Sequence, residues 1–112
     1  MTPVDIVQRQ VDAYNARDLD RFVAEYSDRI VVVRMPATEH AIVGKIQFAE
    51  FYATQRFNRP GLHAQIVNRI VLGNKVIDHE RIAGVRATPF DIVVIYEIVG
   101  TLIERVWSLS PE

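Results

Sequence analysis

A chain of 112 residues, 49% hydrophobic and 24% charged, is long enough to bury one core and too short for two. Its 13 Lys and Arg against 14 Asp and Glu, mixed along the chain, give a formal charge of -1 and exclude the electrostatic footprint of a nucleic-acid or anionic-membrane binder. The absence of Cys removes disulfides, thiolate nucleophiles and Cys-based metal sites. The first ten residues, MTPVDIVQRQ, carry charge and no apolar run. Neither a signal peptide nor a spanning helix is therefore expected, and the cytoplasm is the default compartment.

Taken in order, Thr2-Pro3-Val4-Asp5 is a helix start: Thr at the N-cap, Pro at the first helical position and an acid three residues after the cap. Val4, Val7, Val11 and Tyr14 then recur at helical spacing and predict one apolar stripe. Asn15-Ala16-Arg17 breaks this helix, and Asp18 caps a second, shorter one that turns Leu19, Phe22, Val23 and Tyr26 toward the core. After Ser27-Asp28, Arg29 to Met35 predicts a strand whose unbroken apolar run, Ile30 to Val33, is buried on both faces. Pro36 to Val43 reads as a loop with a short edge strand over His40 to Val43. A third helix from about Lys45 to Phe57 places Phe48, Phe51, Tyr52 and Gln55 on one face and stops at Asn58-Arg59-Pro60-Gly61.

The stretch Leu62 to Gly84 predicts two long strands around a Gly73-Asn74 turn, the tight turn whose twist suits a hairpin. A Thr88-Pro89 break, a strand from Phe90 to Val99, a Gly100-Thr101 turn and a strand to about Leu109 complete the chain. The pattern is α+β in a single domain over residues 1–112: helices segregated to one face of a strongly bent antiparallel sheet. Pairing Leu72 with Lys75 sets Val71 opposite Val76, Arg69 opposite Asp78, Val67 opposite Glu80, Gln65 opposite Ile82 and His63 opposite Gly84 on one face. Asn68 with His79 and Ile66 with Arg81 then share the other. Both faces are half apolar, so helices are expected on one and a second copy of the chain on the other, giving a homodimer through the outer sheet face. Within Asp78-His79-Glu80 the His points away from both acids, and His40 and His63 are scattered. No metal site is expected.

The run Val7-Gln8-Arg9-Gln10, then Tyr14-Asn15-Ala16-Arg17-Asp18-Leu19-Asp20, a strand, Gly44 and Phe51-Tyr52-Ala53 resembles the SnoaL-like and ketosteroid-isomerase-like families of the nuclear transport factor 2-like superfamily. The resemblance implies a cone-shaped, cystatin-like half-barrel with a pocket between the helices and the concave sheet, often paired through the outer sheet face. It also implies where steroid-isomerase machinery would stand. The family's Asp in its Asp-Pro dipeptide falls on Met35 before Pro36, its Tyr on Gln10 and its second Asp near Val93. A thioether takes no proton from carbon and an amide is a weaker acid than a phenol, so ketosteroid isomerase chemistry is not expected. The superfold hosts isomerases, cyclases, dehydratases, hydrolases and plain binding modules, and so specifies a pocket rather than a reaction.

The same resemblance makes the face of Asp78, Glu80 and Ile82 the concave one. The two acids would lie about 7 Å apart along the strand, close enough to perturb each other. Glu80 is the expected acid or base, tuned by Asp78 or His79. Asp78 can equally be an ordinary cross-strand partner of Arg69, and His79 would enter the pocket only if the faces were inverted. A tight turn in the last hairpin puts Ile92, Val94, Tyr96 and Ile98 on one face with Ile103, Arg105 and Trp107. Tyr14, Met35, Tyr52, His63, Tyr96, Arg105 and Trp107 are accordingly the expected ligand-binding residues. Two function classes stay open on these residues. One is a cofactor-free, metal-free isomerase, cyclase or dehydratase moving a proton on a small, largely apolar or amphipathic molecule. The other is a non-catalytic dimeric binding or association module with the same pocket.

Overall fold

The computed structural model of the chain describes residues 1–111. Thr2 and Asp5 form a reciprocal cap: the Asp5 backbone N–H donates to Thr2 Oγ1 at 3.2 Å and the Thr2 N–H to Asp5 Oδ2 at 2.9 Å. From this start helix α1 runs over Pro3–Asn15 and buries Val7, Val11 and Tyr14 with Ile6, Gln10 and Ala13. Arg17, at φ 53°, turns the chain, and Asp18 Oδ1 accepts from the Arg21 N–H to start α2, Leu19–Ala24. Strand β1 (Tyr26–Met35) and edge strand β2 (His40–Val43) precede α3 (Lys45–Gln55). The remaining strands are β3 (His63–Leu72), β4 (Lys75–Ala83), β5 (Phe90–Val99) and β6 (Leu102–Leu109).

The six strands form one curled, unclosed sheet in the order β2-β1-β6-β5-β4-β3. Every neighbouring pair is antiparallel except β1 and β6, which run parallel. Helix α1 lies across the concave face against β3, β4 and β6, while α2 and α3 close over β1. Between helices and sheet, aromatic rings make the core. Phe22 stacks on Phe48 at 5.7 Å, Phe48 meets Tyr26 at 4.3 Å and Tyr52 at 4.7 Å, and Tyr14 packs edge-on against Phe57 and Tyr52. Phe22 is 1% exposed, and burial of a ring of that size stabilises the fold by about 2–3 kcal/mol. The Asn15 amide ties α1 to the edge of the sheet, donating to Ala64 O at 3.0 Å and accepting from Ala64 N at 2.7 Å, which satisfies backbone groups of β3 that have no strand partner on that side.

Two bulges set which side chains enter the cone. The hairpin register expected from Gly73-Asn74 holds from Leu72↔Lys75 to Asn68↔His79; then Val67 is an extra residue and the next pair is Ile66↔Glu80. Beyond it Ala64 faces Ile82, and His63 faces Ala83 instead of Gly84. In the last hairpin Ile98 pairs with Ile103 but Glu97 pairs with Arg105, so Glu104 is the extra residue. One inserted residue inverts the alternation beyond it, because side chains repeat with period two.

Candidate active site

Strand β4 projects Val76, Asp78, Glu80 and Ile82 inward, all buried, and Ile77, His79 and Arg81 outward. This is the face that the family resemblance implies, with Glu80 toward the helices. From β5 come Phe90, Ile92, Val94 and Tyr96, from β6 Val106 and Ser108, and from the helices Gln10, Tyr14, Phe22, Phe51 and Tyr52. Together they enclose a cavity of about 120 Å³.

At its polar wall four side chains form a directed chain of hydrogen bonds. The Tyr26 hydroxyl donates to Gln10 Oε1 at 2.8 Å, Gln10 Nε2 donates to the Tyr96 hydroxyl oxygen at 3.2 Å, and that hydroxyl donates to Glu80 Oε2 at 2.9 Å. With Glu80 ionised, each hydroxyl of this chain donates to the next acceptor and the chain runs from Tyr26 to the carboxylate. Among the described residues Glu80 Oε1 has no hydrogen-bond partner, and no buried side-chain oxygen is left unsatisfied, so Oε1 opens onto the cavity it lines.

Burial pushes the Glu80 carboxyl up to about 7. The Tyr96 hydrogen bond pulls it down, the Asp78 carboxyl raises it and the Arg69 guanidinium lowers it, but loss of water dominates. Burial also raises the Tyr14, Tyr26, Tyr52 and Tyr96 phenols above their ordinary range, so all four remain proton donors at neutral pH. Asp78 lies behind this wall and does not line the cavity. Arg69 holds it through Nε to Oδ1 at 2.6 Å and Nη2 to Oδ2 at 2.9 Å, while Arg69 Nη1 donates to Gln8 Oε1 at 2.8 Å. The pair is therefore a buried fork rather than a solvated surface bridge, with Asp78 side-chain exposure at 0%.

Of the residues expected to meet a ligand, Tyr14, Tyr52 and Tyr96 line the cavity with Glu80, and Met35 lies at an outer lobe of its mouth with Arg34 and Arg56. The others lie elsewhere. His63 is exposed because the Val67 bulge turns it outward. Arg105 and Trp107 pair with Glu97 and Ile95 on the convex face because the Glu104 bulge inverts β6, and their inward places are taken by Val106 and Ser108. His79 is on the convex face as well, its Nε2 2.8 Å from Asp91 Oδ2, where it cannot tune Glu80 by contact. Sequence reasoning missed Gln10, Tyr26, Arg34, Arg56 and Ser108. For Gln10 a signal existed: a polar residue inside the buried stripe Val7, Val11, Tyr14 needs a buried partner. Among the described residues no three His, Asp or Glu side chains converge as metal ligands would.

The geometry has the architecture expected of the resemblance, and residues 7–106 match the SnoaL-like domain. The chain belongs to the SnoaL-like family. Comparison with curated protein sequences gives no match. Solved structures similar to this SnoaL-like chain include an uncharacterized cystatin fold protein from Novosphingobium aromaticivorans, with a TM-score of 0.87 and 23% identity over 96% of this chain and 97% of that one. An LEH-like epoxide hydrolase from M. tuberculosis superposes with a TM-score of 0.81 at 17% identity, covering 96% and 81% of the two chains. A computationally designed 17-OHP binder gives 0.83 at 13% identity, covering 96% and 91%. At these identities the likeness is one of fold. No helix among the described residues is long and apolar enough to cross a membrane.

Proposed function

We propose that this SnoaL-like domain is an enzyme that moves a proton on a small, largely apolar molecule held in the cone, as an isomerase, cyclase or dehydratase does, with Glu80 as the acid–base group. The observation that carries this reading is the buried Glu80 carboxyl, poised near 7 with Oε1 open to an apolar cavity. As a base, Oε1 takes a proton from a carbon next to a carbonyl, and the C–H electron pair passes into the carbonyl to form an enolate. As the resulting acid, Glu80 returns that proton to another atom of the same molecule. The Tyr14 and Tyr52 hydroxyls, both in the cavity lining, are donors for the developing oxyanion. A similar architecture serves an epoxide hydrolase and a designed 17-OHP binder, which supports a small-molecule cavity and leaves the reaction to the side chains.

The test is deuterium wash-in from D2O next to the carbonyl of cyclohexanone, beside a carbon-13 titration of Glu80. The reading requires a Glu80 midpoint near 7 and loss of wash-in in Glu80→Gln. An ordinary carboxylate midpoint, with wash-in unchanged in the variant, would refute it in favour of a binding module without turnover.

We also propose that a second copy covers the convex face. On it Lys75 pairs with Glu97 at 3.4 Å and Asp91 with both His79 and Arg81, Arg105 lies over the Trp107 ring at 5.9 Å, and these groups flank the partly buried Ile77, Val93, Ile95 and Trp107. An apolar strip flanked mostly by charges already paired within the chain suits an identical partner. Sedimentation at micromolar concentration tests this, and a clean monomer would sink it.

A further inference from the structure

We propose that the mouth of the cavity is a carboxylate site, in which Arg34 and Arg56 hold the carboxylate of a compact amphipathic acid whose apolar body lies in the cone against Glu80. This inference rests on the cavity being the ligand site and names the class of ligand it takes. Arg34 comes from the end of β1 and Arg56 from the residue that ends α3, yet both guanidinium carbons lie over the ring of Phe51, at 5.0 and 5.3 Å. Both line the inner cavity and its outer lobe. Neither forms an ion pair among the described residues, whereas Arg9, Arg69 and Arg81 each hold a carboxylate. Apart from these two, Glu80 is the one charged group in the inner lining.

Two guanidiniums over one ring, neither ion-paired among the described residues, leave donors for an anion, and a fork of N–H donors matches a carboxylate edge-on. Burial raises the Tyr52 phenol, Arg56 and Arg34 pull it back down and Glu80 pushes it up, so that phenol lies within electrostatic reach of both the cationic mouth and the carboxyl wall. A ligand anchored at the mouth therefore presents its body to Tyr52 and Glu80 in turn. The anion is a planar carboxylate rather than a phosphate: α3 turns its C-terminal end to the mouth, Arg56 Nη1 donating to the Gln55 carbonyl at 2.9 Å, and the carbonyl end of a helix disfavours a dianion. An inner volume of about 120 Å³ is near the size of cavities that hold one benzene ring. The body is thus a single ring or a short branched chain.

Calorimetric and NMR titration of the whole protein with benzoate, phenylacetate and cyclohexanecarboxylate, each beside its primary amide, tests the site. The acids are expected to bind about 10-fold to 100-fold tighter than the amides, the gain of charge-assisted over neutral hydrogen bonds. Shifts should fall on Phe51, Tyr52 and Tyr96. In Arg34→Gln/Arg56→Gln the preference should collapse to about 2-fold or less while amide binding is retained, which also shows that the cavity is intact. Glu80→Gln should keep the preference for the acid, so loss of proton transfer and loss of the carboxylate site are separable. Equal binding of acids and amides, absence of saturable binding of either, a preference that survives in the double arginine variant, or tighter binding of phenyl phosphate than of benzoate would each overturn it.

Discussion

The Tyr96 hydroxyl donates to Glu80 Oε2 at 2.9 Å although the two residues are not strand partners; Tyr96 pairs with Val76 and Glu80 with Ile92. The two side chains therefore meet along the concave face, across the offset between their strand positions. Removing it should show what holds Glu80 near neutrality. In Tyr96→Phe the ionised carboxylate loses its donor and the Glu80 midpoint should rise above about 7. Gln10 Nε2 loses its buried acceptor in the same change, and stability should fall by about 1–3 kcal/mol. Carbon-13 titration and urea unfolding read the two effects; an unchanged or lowered midpoint would contradict the account of Glu80.

The raised Glu80 carboxyl also makes stability depend on pH. Its ordinary value is 4.5 and its folded value about 7, so between these the folded chain binds more protons than the unfolded one and stability falls as pH rises. The contribution is complete below the unfolded value and lost once pH passes the folded one, for a total of about 3 kcal/mol. Glu80→Gln keeps an acceptor for Tyr96 and has no carboxylate to bury. It should match the native chain near pH 4 and exceed its stability near pH 8 by an amount of that order. Urea unfolding of both proteins across this range decides it, and a constant difference between them would remove burial as the cause.

Arg69 and Asp78 give a second, separable expectation. Arg69→Met leaves the Asp78 carboxyl, with no side-chain exposure, without its cation, and should cost about 3–5 kcal/mol. Adding Asp78→Leu should recover most of that loss, because two well-packed apolar groups tolerate burial better than one orphaned charge. Thermal unfolding of the single and double variants makes the comparison. Simple additivity would mean that the pair is not coupled.

How far the site could be read from the sequence depended on where the bulges fall. The alternation along β4 is uninterrupted, so Glu80 and the outward place of His79 follow from the Gly73-Asn74 turn and one face assignment. His63, Arg105 and Trp107 lie beyond Val67 and Glu104, each an inserted residue with ordinary strand neighbours. Where both faces of a strand are half apolar, an extra residue leaves no mark in the hydrophobic pattern. The helix caps were legible because Thr2, Asp5 and Asp18 act on their own neighbours in the chain. Arg34 and Arg56 were not, since their shared position over Phe51 is a tertiary fact that no local spacing encodes.

Two glycines with positive φ should respond very differently to the same methyl group. At Gly73, φ 59°, an added Cβ meets nothing within 4 Å, so Gly73→Ala costs only the left-handed backbone, about 1 kcal/mol. At Gly84, φ 85°, the same atom would stand 2.3 Å from both the carbonyl carbon and oxygen of Gly61 and 2.6 Å from Leu62 N. Those are backbone atoms just before β3, and they cannot rotate away as a side chain would. Gly84→Ala must therefore separate the end of β4 from the segment that leads into β3, adding roughly 1–3 kcal/mol of overpacking to the backbone strain. Because Ala64 and Ile82, cavity-lining partners across these strands, lie next to that contact, the change should loosen the cavity as well as the fold. Urea unfolding is expected to rank Gly84→Ala well below Gly73→Ala, with amide exchange accelerated from Leu62 to Ile66 in the former alone. Equal losses at the two positions would show that backbone conformation, rather than the close approach of Gly61 and Gly84, decides the outcome.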